Sequence, residues 1–143
     1  LEHLQRLCLS QTRIKKTHPL KSLKRLRFLD LNTNSIEEIN FLRSLPSLQQ
    51  LNLAQTKTLD ISALDKLRLL KELSLNNTPP LCFSSLARLT ELEVLDLSET
   101  RFSNLKLLER MRSLAHLNIS RSYVKNLNSL YKFDSVDLIG YYK

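Results

Sequence analysis

Three histidines, two cysteines and fourteen carboxylates are the groups in this 143-residue chain that could do chemistry. A thiol nucleophile such as Cys8 or Cys82 needs an imidazole, here His3, His18 or His116, within hydrogen-bond reach. A hydrolytic carboxylate pair needs its carboxyls about 5–9.5 Å apart. Asp30 and Asp96, which fall in the same phase of the sequence, are the pair to weigh. Metal binding needs His and Cys at short fixed spacings, which the sequence lacks. A phosphate loop needs glycines at fixed points, and Gly140 is the single glycine. Whether any of these groups converge depends on the elements that carry them.

Those elements repeat. Leu7, Leu29, Leu51, Leu73, Leu95, Leu117 and Ile139 step by 22 residues, and so do Leu9 through Ile119 to Tyr141, and Leu4 through Leu114 to Val136. The step predicts one unbroken register to the end of the chain. The L-x-L at the front of each unit predicts a short strand with one buried face. Behind it the apolar spacing becomes three, as in Ile36, Ile39, Leu42, Leu45 and in Phe102, Leu105, Leu108, Met111. That spacing predicts 3₁₀ turns or ragged short helices rather than long α-helices. Pro79 and Pro80 forbid regular helix where they stand in the fourth unit. One coil cannot bury its own leucines, so stacked coils must share a core.

The pattern L-x-x-L-x-L-x-x-(N/T)-x-I-x-x-I-x-x-L-x-x-L resembles the leucine-rich repeat family. Its 22-residue length resembles the class typified by internalins and by a regulatory subunit of protein phosphatase 1. The resemblance covers residues 1–143 as a single domain: six full repeats and a truncated seventh. It implies an α/β solenoid, a right-handed arc with about seven short parallel strands on the concave side and 3₁₀ turns or short helices on the convex side. It also implies a protein-recognition scaffold rather than an enzyme. Thr12, Asn34, Thr56, Thr78, Thr100 and Ser122 share the column where the family usually places Asn. A hydroxyl reaches less far than an amide, so these residues are expected to face inward in a weakened hydrogen-bond ladder.

Stacking settles the chemistry. Cys8 and His116 fall five coils apart, which separates thiol from imidazole. Asp30 and Asp96 fall three coils apart, roughly 14 Å, too far for a glycosidase pair. No catalytic residue, cofactor or metal is therefore expected. The concave face instead carries the candidate partner-binding residues Phe28, Asp30, Gln50, Asn52, Glu72, Ser74, Val94, Asp96, His116 and Asn118. The column Cys8, Asp30, Asn52, Ser74, Asp96, Asn118 is short and polar, suited to hydrogen bonding a partner. In the next column Phe28, Val94 and Leu138 are expected to stand exposed.

The net charge of +8 raises nucleic acid as a partner. The strand segments hold five basic residues (Arg6, Arg27, Lys71, Arg121, Lys143) and six acidic ones (Asp30, Glu72, Glu93, Asp96, Glu99, Asp137), a balance of −1 that leaves +9 elsewhere. The densest basic run, Arg13 to Arg27, has no acid. Its Arg13, Lys15, Lys16, Lys21, Lys24 and Arg25 are the candidates for contact with an anionic surface. Charge on the convex side, away from stacking aromatics, argues against a nucleic-acid groove. The sequons Asn76-Asn77-Thr78 and Asn118-Ile119-Ser120 read as chance matches.

Two cysteines without clustering point to a reducing, intracellular setting, cytoplasmic or nuclear. No apolar run reaches the length of a membrane span. The start at Leu1, in repeat phase and without a cap, suggests a fragment of a longer protein. Tyr141 and Tyr142 either close the far end of the core or precede further coils, and an exposed end offers a route to end-to-end association. The expected function is a non-enzymatic protein-interaction scaffold. The alternatives are binding to nucleic acid or an anionic surface through the basic region, and a structural, self-assembling repeat segment.

Overall fold

The computed structural model describes residues 1–132 and 137–139. Seven three-residue strands form one parallel sheet in chain order: β1 (Arg6–Cys8), β2 (Phe28–Asp30), β3 (Gln50–Asn52), β4 (Glu72–Ser74), β5 (Val94–Asp96), β6 (His116–Asn118) and β7 (Asp137–Ile139). Between consecutive strands lies one 3₁₀ helix: His18–Ser22, Asn40–Ser44, Ser62–Lys66, Ser84–Arg88, Leu105–Leu108 and Asn128–Lys132. No α-helix occurs among the described residues, so 3₁₀ turns alone take the helical place in each coil.

The local sequence accounts for both elements. In β2, Leu29 is buried while Phe28 and Asp30 are half-buried, which is the alternation of a strand packed on one face. Leu7, Leu29, Leu51, Leu73, Leu95 and Leu117 lie in register opposite one another, so each coil sets a leucine on the leucine before it. In the second coil, the amide of Leu42 bonds Ile39 O, Leu45 bonds Leu42 O and Leu48 bonds Leu45 O. Side chains three apart eclipse one another in 3₁₀ geometry. The apolar spacing of three thus puts every one of these residues on the core side, and all four are buried. Pro79 and Pro80 precede the helix Ser84–Arg88, which keeps the phase of its neighbours.

Burial of one such leucine stabilises by about 1.5–3 kcal/mol relative to exposure, and the stack shares that gain between adjacent coils. A single cluster of buried side chains runs from Leu20 to Ile119. Leu4, Leu7 and Leu9 of the first coil are only partly buried, since a second coil covers them from one side.

The final register differs from the expected one. His116 pairs with Asp137 and Leu117 with Leu138, a step of 21 rather than 22. Leu138 therefore takes the register position, opposite Leu117, that the even step assigns to Ile139. The residue is lost after the helix: four residues separate Asn128–Lys132 from β7, where five separate His18–Ser22 from β2. Strand register is set by backbone pairing, and a connection can drop a residue without disturbing it. Val136, Gly140 and the residues expected to cap the core, Tyr141 and Tyr142, lie outside the described residues.

The scarcity of glycine does not mean that left-handed corners are absent. Gln11, Thr33, Gln55, Asn77, Glu99 and Arg121 have φ between 49° and 57°, one per coil, and Arg13 has 61°. At Gln11, Thr33, Gln55, Asn77 and Glu99 the chain turns off the sheet while the amide still reaches the next coil, as Thr33 N does to Ala54 O at 2.9 Å. A non-glycine residue there costs roughly 1–2 kcal/mol of backbone strain.

In the hydroxyl column, Asn34, Thr56, Thr78 and Thr100 are buried as expected, whereas Thr12 in the first coil is exposed and Ser122 half-buried. Asn34 Nδ2 donates to Leu9 O of the preceding coil at 2.7 Å and to Leu31 O of its own at 2.9 Å. Its Oδ1 accepts from Ile14 N at 3.0 Å. The buried threonines donate within their own coil: Thr56 to Leu53 O, Thr78 to Leu75 O and Thr100 to Leu97 O, at 2.6–2.8 Å. Between coils the main chain substitutes, as in Tyr123 N to Phe102 O at 2.8 Å.

Candidate functional site

Because Leu29, Leu51, Leu73 and Leu95 point into the core, their flanking residues must line the opposite face of the sheet. Phe28, Asp30, Gln50, Asn52, Glu72, Ser74, Val94 and Asp96 converge there on one shallow depression of about 340 Å³ across β2–β5. His116 and Asn118 sit one strand further on and do not line it. Eight of the ten residues expected to bind a partner are thus brought together. Within the depression Gln50 Nε2 donates to Glu72 Oε1 at 2.7 Å, and Val94 is 36% exposed. Phe28 is less exposed than expected, because the Arg6 guanidinium lies 4.1 Å from its ring centroid.

The central polar column has a structural task that its side-chain types only hint at. Asp30 Oδ1 accepts from Asn32 N at 2.9 Å, Asn52 Oδ1 from Ala54 N at 3.0 Å, Asp96 Oδ1 from Ser98 N at 2.9 Å and Asn118 Oδ1 from Ser120 N at 3.1 Å. These are Asx turns, which bend the chain out of the strand toward its left-handed corner. Each side chain therefore has one oxygen committed to its own coil. The recurrence of Asp or Asn two residues before a small or polar residue was the available signal. The same geometry occupies the second sequon, where Ser120 Oγ also donates to Asn118 Oδ1 at 2.7 Å.

The other chemical candidates stay apart. Cys8 is on β1 and His116 on β6, while Asp30 and Asp96 are separated by two intervening strands. His3 Nδ1 accepts from Arg25 Nη1 at 2.9 Å. Both cysteines are free and exposed. Cys82 has its thiol pKa lowered, first by the Ser84 hydroxyl and then by the Ser84 amide.

Folding also divides the basic run. Lys15 and Lys16 line a depression of about 410 Å³ together with Glu37 and Glu38 of the next coil, so acids absent from the run itself stand beside it. Arg25 and Arg27 line a different depression, with Gln5 and Gln49 at the edge where the strands begin. Arg13, Lys21 and Lys24 are exposed and belong to neither. Further along that edge Lys71 Nζ meets Glu93 Oε1 at 2.7 Å, a bond that raises the lysine pKa above its ordinary value.

The sequence profile described as Leucine Rich repeats (2 copies) matches residues 2–44. That match falls on the first two coils of a stack whose remaining coils repeat the same strand, corner and 3₁₀ turn. Residues 2–44 thus match the leucine-rich repeat family, and the later coils share their architecture. An internalin of Listeria monocytogenes is similar with a TM-score of 0.83 at 20% identity, over 94% of this chain and 47% of that one. Internalin C2 of the same species gives 0.69 at 18% identity, over 93% of this chain and 80% of the other. A leucine-rich repeat protein of Leptospira interrogans gives 0.80 at 22%, over 96% and 37%. At such identities the likeness is one of fold, and the chain spans about half the length of the first internalin. No curated protein matches the sequence. Leucine-rich repeat folds serve generally as protein-interaction scaffolds, because stacked repeats present an extended side-chain surface. Among the described residues no helix is long and apolar enough to cross a membrane.

Proposed function

We propose that this chain is a single-domain, non-catalytic scaffold that holds a protein partner across the face of β2–β5. The observation that carries the reading is the convergence of Phe28, Gln50, Glu72 and Val94 on one depression, with the strand backbones beneath already paired. An exposed valine beside half-committed polar groups offers both an apolar anchor and orienting hydrogen bonds. Asp30, Asn52, Ser74 and Asp96 shape the floor, and His116 and Asn118 extend the face by one strand. A reducing, intracellular setting suits two exposed free thiols.

The test compares partner capture by the wild type and by a Gln50→Arg/Val94→Arg variant with an unchanged melting curve. An Arg88→Glu variant, altered on an exposed helix position, serves as control. Partners held by the wild type and the control should be lost from the face variant. Identical partner sets for all three proteins would sink the proposal.

A further inference from the structure

The strand segments, nearly neutral in sum, and the residues just before them carry two poles. At the edge where the strands begin, coils one and two present Arg6, Arg25 and Arg27. Among the residues that line the two adjoining depressions there, of about 370 and 220 Å³, Glu72 is the single carboxylate, at the far end of the second. Among the described residues Arg27 has no side-chain hydrogen bond or ion pair, and neither do the side-chain amides of Gln5 and Gln49 beside it. Coils four and five present Glu72, Glu91 and Glu93 at the same edge, against Lys71 alone.

We infer that this edge takes an extended acidic segment of a protein partner, its carboxylates on Arg6, Arg25 and Arg27 and its register stopped by Glu72 and Glu91. The inference rests on the scaffold reading above and names the chemistry of the partner. A guanidinium offers a planar fork that matches a carboxylate, and free glutamine amides add donors. An extended segment sets alternate side chains on one face, so one run of carboxylates can face Arg6 of the first coil and Arg25 and Arg27 of the second. The main chain cannot add a strand here. Gln5 O already accepts from Arg27 N and Phe28 N, and Arg27 O from Gln49 N and Gln50 N. Recognition therefore falls to side chains. A nucleic acid would also bring negative charge, but the single ring in these depressions, Phe28, has Arg6 stacked on it and offers little to a base.

The probe is a fluorescent deca-glutamate peptide followed by anisotropy. Arg25→Ala/Arg27→Ala should weaken binding about tenfold, the combined effect of two exposed charge pairs. Lys15→Ala/Lys16→Ala, which removes the same charge beside Glu37 and Glu38, should leave affinity within twofold. Glu72→Gln/Glu91→Gln should tighten binding about threefold. Equal losses in the arginine and lysine variants, or none in either, would overturn the site. So would a ten-residue oligothymidylate that binds more tightly than the peptide with the same arginine dependence. An unchanged affinity in Glu72→Gln/Glu91→Gln would overturn the register. If the peptide result is flat while Gln50→Arg/Val94→Arg still loses its partner, the edge site alone fails. If the peptide binds as described and the face variant keeps its partner, the face reading alone fails.

Discussion

Asn34 Nδ2 lies 2.7 Å from the carbonyl oxygen of Leu9, a hydrogen bond that ties the second coil to the first through the core. Thr78, one of the hydroxyls in the same column, reaches only Leu75 O of its own coil, at 2.6 Å. Asn34→Ala leaves buried partners in two coils unsatisfied and is expected to destabilise by about 2–3 kcal/mol, against about 1 kcal/mol for Thr78→Ala. In thermal unfolding, Asn34→Ala should lower Tm by about 4–10 °C. Equal shifts for the two variants would show that the inter-coil bond adds nothing.

Thr33 holds φ at 54° with a β-branched side chain, the least suited type among the left-handed corners. Asn tolerates that region far better and keeps a polar group at the exposed position. Thr33→Asn should therefore stabilise by about 0.5–1 kcal/mol. The readout is a higher urea midpoint with an unchanged m value. A lower midpoint would mean that the Thr33 hydroxyl bond to Gln55 Oε1, at 3.1 Å, outweighs the strain.

Asp96 and Gln50 both line the sheet-face depression, yet they differ in what they do for the fold. Asp96 Oδ1 accepts from the Ser98 amide, while Gln50 bonds only the neighbouring Glu72 side chain. Asp96→Ala is expected to cost about 1 kcal/mol of stability. Gln50→Ala should stay within about 0.5 kcal/mol. Chemical denaturation of the two variants separates these outcomes, and a neutral Asp96→Ala would remove the turn role. For the same reason Gln50 and Val94 are cleaner probes of partner binding than the aspartates.

The Cys82 thiol stands 3.2 Å from the Ser84 hydroxyl, which with the Ser84 amide holds its pKa below the ordinary value. A lowered pKa populates the thiolate at lower pH, so iodoacetamide alkylation of Cys82 should rise with a midpoint below that of an ordinary cysteine thiol. Ser84→Ala should move that midpoint up. A pH–rate profile read by peptide mass spectrometry for each cysteine decides it. A midpoint unmoved in Ser84→Ala would show that the hydroxyl does not act on the sulfur.

The 22-residue step placed Leu29, Leu51, Leu73 and Leu95 in the core and their neighbours on the opposite face, and eight of the ten residues named for that face meet in one depression. Strand alternation and 3₁₀ spacing are properties of a single coil, determined by which side chains must leave water, so one sequence is enough to read them. What the stack decided lies between coils. Five non-glycine residues, Gln11, Thr33, Gln55, Asn77 and Glu99, accept left-handed corners where pairing with the next coil holds them. Leu138 rather than Ile139 pairs opposite Leu117, because register follows backbone hydrogen bonds and not the residue count of a connection. The basic run separates into Lys15 and Lys16 beside Glu37 and Glu38, Arg25 and Arg27 at the edge where the strands begin, and Arg13, Lys21 and Lys24 apart from both, since coulombic neighbours are chosen by stacking. Periodicity says which way a side chain points. Only the folded stack says whom it meets, because its neighbours come from a coil 22 residues away.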